Sequence, residues 1–273
     1  MKSAALRVVE SQVESALAGR VLSPFAVRER HVPDTLSTGV PAIDALTGGL
    51  PRSALTEIFG PASSGRTSLL LSLLAEVTSR QEVCALVDAS DAFNPHSAAA
   101  ARVDLKRVLW VRCQEHVSGF KFQVSSNGNY RETRNKKRET FARVEQALKA
   151  TDLLLQAGGF GLVAVDLADI PPAVARRVPL ASWFRFRRAV EDTPTALLVI
   201  EQHPYAQTCA SLVLRMQRNP SALSFLPAKN GVPTHARLLR GISVSAEVVR
   251  SRLERKPVRA VNANFEPRAS WAG

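Results

Sequence analysis

Apolar positions along this chain follow two periods, and the changes of period mark its elements. Near the start, Leu6, Val9, Val13, Ala16 and Leu17 recur at spacings of three and four. This is the stripe of an amphipathic helix over 3–18, which Gly19 ends. A lone helix of that length is marginal in water, so its stripe needs a surface to dock on, either its own domain or a neighbouring molecule. Residues 1–20 are therefore read as an N-terminal docking helix, and 21–35, with Ser23, Pro24 and Pro33, as a linker. From Leu36 the pattern alternates. Short apolar runs at 55–59, 83–87, 108–111, 162–165 and 196–200 read as strands. Helical patterns fall between them at 67–79, 96–103 and 139–156, the last closed by Gly158 and Gly159. In the first of these, Leu69, Leu70, Leu73, Leu74 and Val77 share the buried side. Further strands are expected at 212–216 and within 237–265, ahead of a tail at 266–273. Short apolar strands separated by helices predict an α/β core over 36–265, a mainly parallel sheet covered by helices on both faces. Ligands of such sheets gather beyond the C-terminal strand ends, where Gly60, Asp88, Asp166 and Gln202 fall.

Composition sharpens this picture. The 273 residues are 45% hydrophobic, enough for a real core. The longest apolar runs, such as 69–71 and 196–200, fall far short of the roughly 18 residues of a membrane span. Glu10 and Glu14 interrupt the start, which reads against a signal peptide. Cys84, Cys113 and Cys209 are widely spaced and offer neither zinc spacing nor an even disulfide set, as expected of a cytoplasmic protein. The five histidines are scattered without metal spacing.

The net charge of +12 is regional. Residues 121–143 carry seven basic side chains against two acidic, residues 176–188 five arginines and no acid, and residues 237–259 again seven against two. The rest of the chain holds seventeen basic residues against twenty acidic. In the first stretch, Lys121, Arg131, Arg134, Lys136, Lys137 and Arg138 are candidate DNA contacts, with Phe122 and Tyr130 interleaved for stacking. A solvated charged face is the other reading of the same run. Residues 115–137, rich in Gly, Ser and Asn, read as a polar basic insertion. In the second stretch Trp183, Phe184 and Phe186 are expected in the core, with the arginines between them on the surface.

The clearest chemistry lies between the first strand and its helix. Gly60, Pro61, Ala62, Ser63, Ser64, Gly65, Arg66 and Thr67 have the spacing of a phosphate-binding loop, and Ser68 continues it into the helix. Glycines let the backbone wrap phosphates, and the helix N-terminus adds positive potential. Thr67 stands where a hydroxyl ligates Mg²⁺, and Asp166, after the strand at 162–165, is the second metal-site carboxylate. The loop thus makes ATP and Mg²⁺ the candidate cofactors; a relic loop that binds nothing, or only a sulfate-like anion, is the other reading. Its usual lysine is Arg66, a bulkier fork that cannot set a compact ammonium between the β- and γ-phosphates.

With these residues placed, the chain resembles the bacterial RecA recombinase family over most of 3–265. The resemblance is carried by Leu36-Ser37-Thr38-Gly39 with Asp44, by Gly48-Gly49-Leu50-Pro51-Arg52, and by Glu57-Ile58-Phe59-Gly60-Pro61. Residues 84–90, Asn94-Pro95, Val103-Asp104-Leu105 and Val108-Leu109 extend it. It implies that the helix bearing Leu6, Val9, Val13 and Leu17 is an oligomerisation element that docks on an adjacent subunit. It implies that Gln202 is among the nucleotide-binding residues, and that Arg250 and Arg252 stand where two lysines reach a neighbouring subunit's nucleotide.

The departures point away from a strand-exchange engine. The family's catalytic glutamate position is Ser90, and a hydroxyl is no general base near neutral pH. Asp91 is one residue out of place. The long DNA-binding loop after Gln202 is missing, because His203–Cys209 leads almost directly into the next strand. The sequence is also expected to lack the family's large C-terminal domain. This outline is similar to ImuA-type proteins, which serve damage-induced mutagenesis beside a polymerase homologue and an error-prone replicative polymerase. That resemblance implies a non-catalytic accessory protein with RecA or translesion polymerase partners, and no membrane. A DNA-dependent ATPase or recombinase, and a checkpoint inhibitor of cell division similar to SulA, are the other readings.

Overall fold

The computed structural model describes residues 34–113, 128–223, 242–252 and 262–265. The docking helix, residues 21–33 of the linker, Lys121, Phe122 and the tail lie outside them, and Thr35, assigned to the linker, begins a strand. Within them the chain runs β1 (Thr35–Leu36), α1 (Pro41–Thr47), β2 (Leu50–Pro51), β3 (Ala54–Phe59), α2 (Arg66–Ser79), β4 (Cys84–Asp88), α3 (Pro95–Ala100) and β5 (Val108–Arg112). It continues with α4 (Gly128–Ala157), β6 (Leu162–Asp166), α5 (Pro172–Ala175), α6 (Leu180–Val190), β7 (Ala196–Glu201), β8 (Leu212–Leu223), β9 (Ile242–Ser251) and β10 (Asn262–Phe265). β1 and β2 pair as a small antiparallel ribbon. The other strands form an eight-stranded sheet in the order β10-β9-β8-β3-β7-β6-β4-β5. The six strands from β8 to β5 run parallel, while β9 and β10 add an antiparallel edge. This is the expected mainly parallel α/β sheet.

Its central strands are apolar on both sides because each face meets a helical layer. On one face, Leu69, Leu70, Leu73, Leu74 and Val77 of α2 pack on Ile58, Leu86, Ala164, Leu198 and Leu214. On the other, Val144 and Ala147 of α4 and Trp183, Phe186 and Val190 of α6 cover Leu55, Val87, Val163 and Val199. At the far end of the sheet from the phosphate loop, Arg52 is held by Glu82 at 2.7 Å, Asp34 at 3.3 Å and the Pro194 carbonyl at 2.8 Å. All three cysteines are buried and unpaired. No helix among the described residues is long and apolar enough to cross a membrane.

Three expectations need correction. The stretch 128–137, assigned to the insertion, is the first part of α4, which begins at Gly128 rather than Glu139. Composition around Gly128 and Asn129 signals a loop, but Arg131–Glu139 is rich in strong helix formers, and their propensity prevails. α3 stops at Ala100, and Arg102 just after it takes a positive φ of 67°. Phe184 is not in the core: it is 46% exposed, whereas Trp183 and Phe186 are fully buried. The helix has one buried stripe, and Phe184 falls between its positions.

Candidate phosphate-binding site

The loop between β3 and α2 is shaped by two glycines. A Cβ on Gly60 would lie 2.2 Å from the Met216 carbonyl oxygen of β8, so only glycine fits against that backbone. Gly65 has a φ of 89° as it caps α2, and a Cβ there would meet a Val244 methyl of β9 at 3.0 Å. Ser63 also takes a positive φ, 60°. Ser64 is buried, its Oγ without a partner, while Pro61, Ala62 and Thr67 are exposed. The loop thus leads into the first turn of a 14-residue helix, in which Thr67 is exposed.

Arg66 does not join that open side. Its side chain is 6% exposed, and Nη1 donates to the Glu201 carbonyl oxygen at the end of β7, 2.6 Å away. The Gly60 N–H donates to the same oxygen at 3.3 Å. Burial lowers the Arg66 pKa, and the Asp166 and Asp169 carboxylates oppose that fall. Asp166, at the end of β6, accepts a 2.9 Å bond from the Ala168 N–H through Oδ1. Burial pushes its pKa up to about 6; Asp88 and Asp169 add to the rise, and the Ala168 N–H and Arg66 oppose it. Glycine geometry, the Thr67 hydroxyl and Asp166 fit a phosphate with Mg²⁺. Arg66, committed to a main-chain oxygen, does not fit the γ-phosphate position, and no hydrolytic step follows from this geometry.

The next strand end explains the missing base. Asp88 is fully buried and accepts from the N–H groups of Ser90 at 3.2 Å, Ala92 at 3.1 Å and Phe93 at 2.9 Å, and from Trp110 Nε1 at 3.2 Å. It organises the turn that carries Ser90. Asp91 takes a φ of 56° and faces Arg112, which it meets through two 2.7 Å hydrogen bonds. Neither carboxylate is a poised base.

Gln202 donates from Nε2 to the carbonyls of Ala168 at 2.9 Å and Ile170 at 3.3 Å, tying β7 to the turn after β6. Residues 202–211 then connect β7 to β8 directly, with a 3-10 turn at Gln207–Cys209. Arg250 and Arg252 donate to the carbonyls of Gln207 and Thr208 of that turn. Arg250 pairs in register with Val213, which lies beside Glu57 rather than beside the phosphate loop. In this chain the two arginines therefore brace the 3-10 turn. Among the candidate DNA contacts, Arg131, Arg134, Lys136 and Lys137 lie in α4, where only the backbone is described, and Arg138 is exposed.

One arrangement escaped the sequence reading. Glu57 of β3 and Glu201 of β7 point to the face opposite α2, and both are fully buried. Glu57 Oε1 accepts from the N–H groups of Tyr205 at 2.6 Å and Ala206 at 2.9 Å. Glu57 Oε2 and both Glu201 carboxyl oxygens have no donor among the described residues. Burial raises both pKa values, Glu201 well above the carboxylate range, and each carboxyl interacts with the other. Protonation of one of the two would supply the missing donor. The signal available in sequence was an acid inside each of two apolar strands, Leu55–Phe59 and Leu197–Glu201.

Comparison with known proteins supports the resemblance over part of the chain. The family model of the RecA N-terminal domain matches residues 4–117. Together with the mainly parallel sheet, this is the outline of a RecA-like core. It is 33% identical to Protein RecA of Ectopseudomonas oleovorans over 183 residues, 66% of this chain and 42% of that relative. It is 32% identical to Protein RecA of Rhizobium leguminosarum bv. viciae over 218 residues, 74% of this chain and 54% of the relative. Over 106 residues it is 41% identical to Protein RecA of Synechococcus sp. (strain CC9902). The chain thus spans about half or less of the length of these RecA relatives.

Proposed function

We propose that this RecA-like chain is a non-catalytic accessory protein of damage-induced translesion synthesis. The observation that carries this reading is Arg66. The one cation placed to meet a γ-phosphate is turned beneath the loop onto the Glu201 carbonyl. Ser90 supports it, since the neighbouring carboxylates Asp88 and Asp91 are both held in hydrogen bonds to other groups. The short link after Gln202 supports it too, because residues 202–211 pass from β7 to β8 without a long loop at that position. ATP and Mg²⁺ enter as ligands held by Gly60–Ser68 and Asp166 without turnover.

The partners are RecA subunits and translesion polymerase proteins, engaged through Leu6, Val9, Val13 and Leu17; a second copy of the chain can use the same helix. The basic face around Arg138 contacts DNA once a partner has brought it there. The runner-up, a DNA-dependent ATPase or recombinase, draws on the exposed Thr67 and on Asp166, and needs Arg66 to swing out.

The test is a pull-down of the full chain with RecA and the polymerase proteins of the same cell, repeated after deletion of residues 1–20. Retention of at least one partner, lost on deletion, is the expected result. Binding to none of them overturns the reading.

A further inference from the structure

The outer face of α6 has the composition of a docking surface. Trp183, Phe186 and Val190 turn inward and are fully buried. Outward, Leu180 is 37% and Phe184 46% exposed, and Phe184 is the one large aromatic so exposed among the described residues. Leu180, Phe184 and Arg188 follow at i, i+4 and i+8, forming a single stripe along the helix. Phe184, Arg185, Arg187, Arg188 and Glu191 line an open concavity of about 530 Å³. Arg176 and Arg177, exposed just after α5, extend the positive field toward the start of the helix.

We propose that this face binds an acidic amphipathic helix of a partner protein, with apolar side chains seated on Phe184 and Leu180 and carboxylates on the surrounding arginines. An exposed aromatic with an aliphatic neighbour one turn away is the kind of anchor that such helices use. The charge fits discrete carboxylates better than a continuous polyanion. Arg185 already meets Asp152 through Nε at 2.9 Å, and Arg187 meets Glu191 through Nε at 3.0 Å. A nucleic-acid backbone laid along the face would run over those fixed carboxylates, whereas a helix can place its acids between them. Each guanidinium has five donors, so these pairs leave capacity for a further carboxylate. The proposal requires neither nucleotide nor the N-terminal helix and stands or falls apart from the accessory role.

The test is selection from a displayed library of random peptides about 16 residues long against the full chain. Affinities of the enriched peptides are then measured on wild type, Phe184→Ser, Arg188→Glu and, as a control away from this helix, Lys106→Glu. The expected peptides are acidic with apolar residues at helical spacing. Their affinity should fall at least about tenfold in each α6 variant and hold in the control. Unchanged thermal midpoints show that the variants fold. The proposal is overturned if no acidic peptide is enriched, or if affinities in the α6 variants stay within about threefold of wild type. It is also overturned if an oligothymidylate of similar charge binds this face more tightly than the peptides do.

Discussion

Arg66 Nη1 lies 2.6 Å from the main-chain oxygen of Glu201, so the cation of the phosphate loop is spent on the sheet beneath it. The same Glu201 oxygen accepts from the Gly60 N–H, which clamps both ends of the loop to one strand end. A guanidinium is long enough to make this link, and a lysine carries only a compact ammonium on a flexible stem. Arg66→Lys should therefore raise affinity for a fluorescent ATP analogue by about tenfold, the worth of one charge-assisted contact. It should not start turnover, because Ser90 is unchanged. Fluorescence titration with Mg²⁺ present measures it, and equal affinity in the two proteins would show that Arg66 already serves the nucleotide.

The Glu57–Glu201 pair makes a signed prediction. Burial raises both carboxyls above the ordinary carboxylate value. From that ordinary value up to the raised ones the native state holds more protons than the unfolded chain, so stability is full below this range and falls as pH rises through it. Asp166, raised from 3.8 to about 6, adds to the same slope over its own range. Glu201→Gln keeps a donor for Glu57 at every pH and removes one of the two titrations. It should flatten the slope and be more stable than wild type at pH 7.5, by less at pH 5. Urea denaturation at the two pH values reads this directly, and an unchanged difference between them contradicts protonation of the pair.

Arg52 carries a separate prediction about the fold. It is almost buried and satisfied by Glu82, Asp34 and two carbonyls. Arg52→Ala should cost about 3 kcal/mol by leaving Glu82 and the Pro194 carbonyl without their donor, while the Gly161 carbonyl keeps the Ala196 N–H. Chemical denaturation measures it, and a loss below about 1 kcal/mol would place the site among solvent-screened pairs.

The strands were legible because both faces of the sheet are covered, so each reads as an apolar run, from Ala54–Phe59 to Ala196–Glu201. Glycines legible as a phosphate loop are those that the backbone of β8 and Val244 leave no room to replace. What was not legible depends on tertiary direction. Nothing local says that Arg66 turns inward, that Arg250 and Arg252 brace Gln207 and Thr208, or that Phe184 misses the core stripe. The start of α4 was hidden by Gly128 and Asn129, which signal a turn while the residues after them favour helix. Glu57 and Glu201 were each visible as an acid in a strand, but their meeting required the parallel register of β3 and β7.

The account rests most heavily on a phosphate loop without an engine behind it. Its direct test is ATP hydrolysis by the full chain with Mg²⁺ and saturating single-stranded DNA, beside Thr67→Ala and a RecA control. The account predicts background rates for the chain, the same with or without DNA and the same in Thr67→Ala. DNA-stimulated turnover that Thr67→Ala abolishes would contradict it.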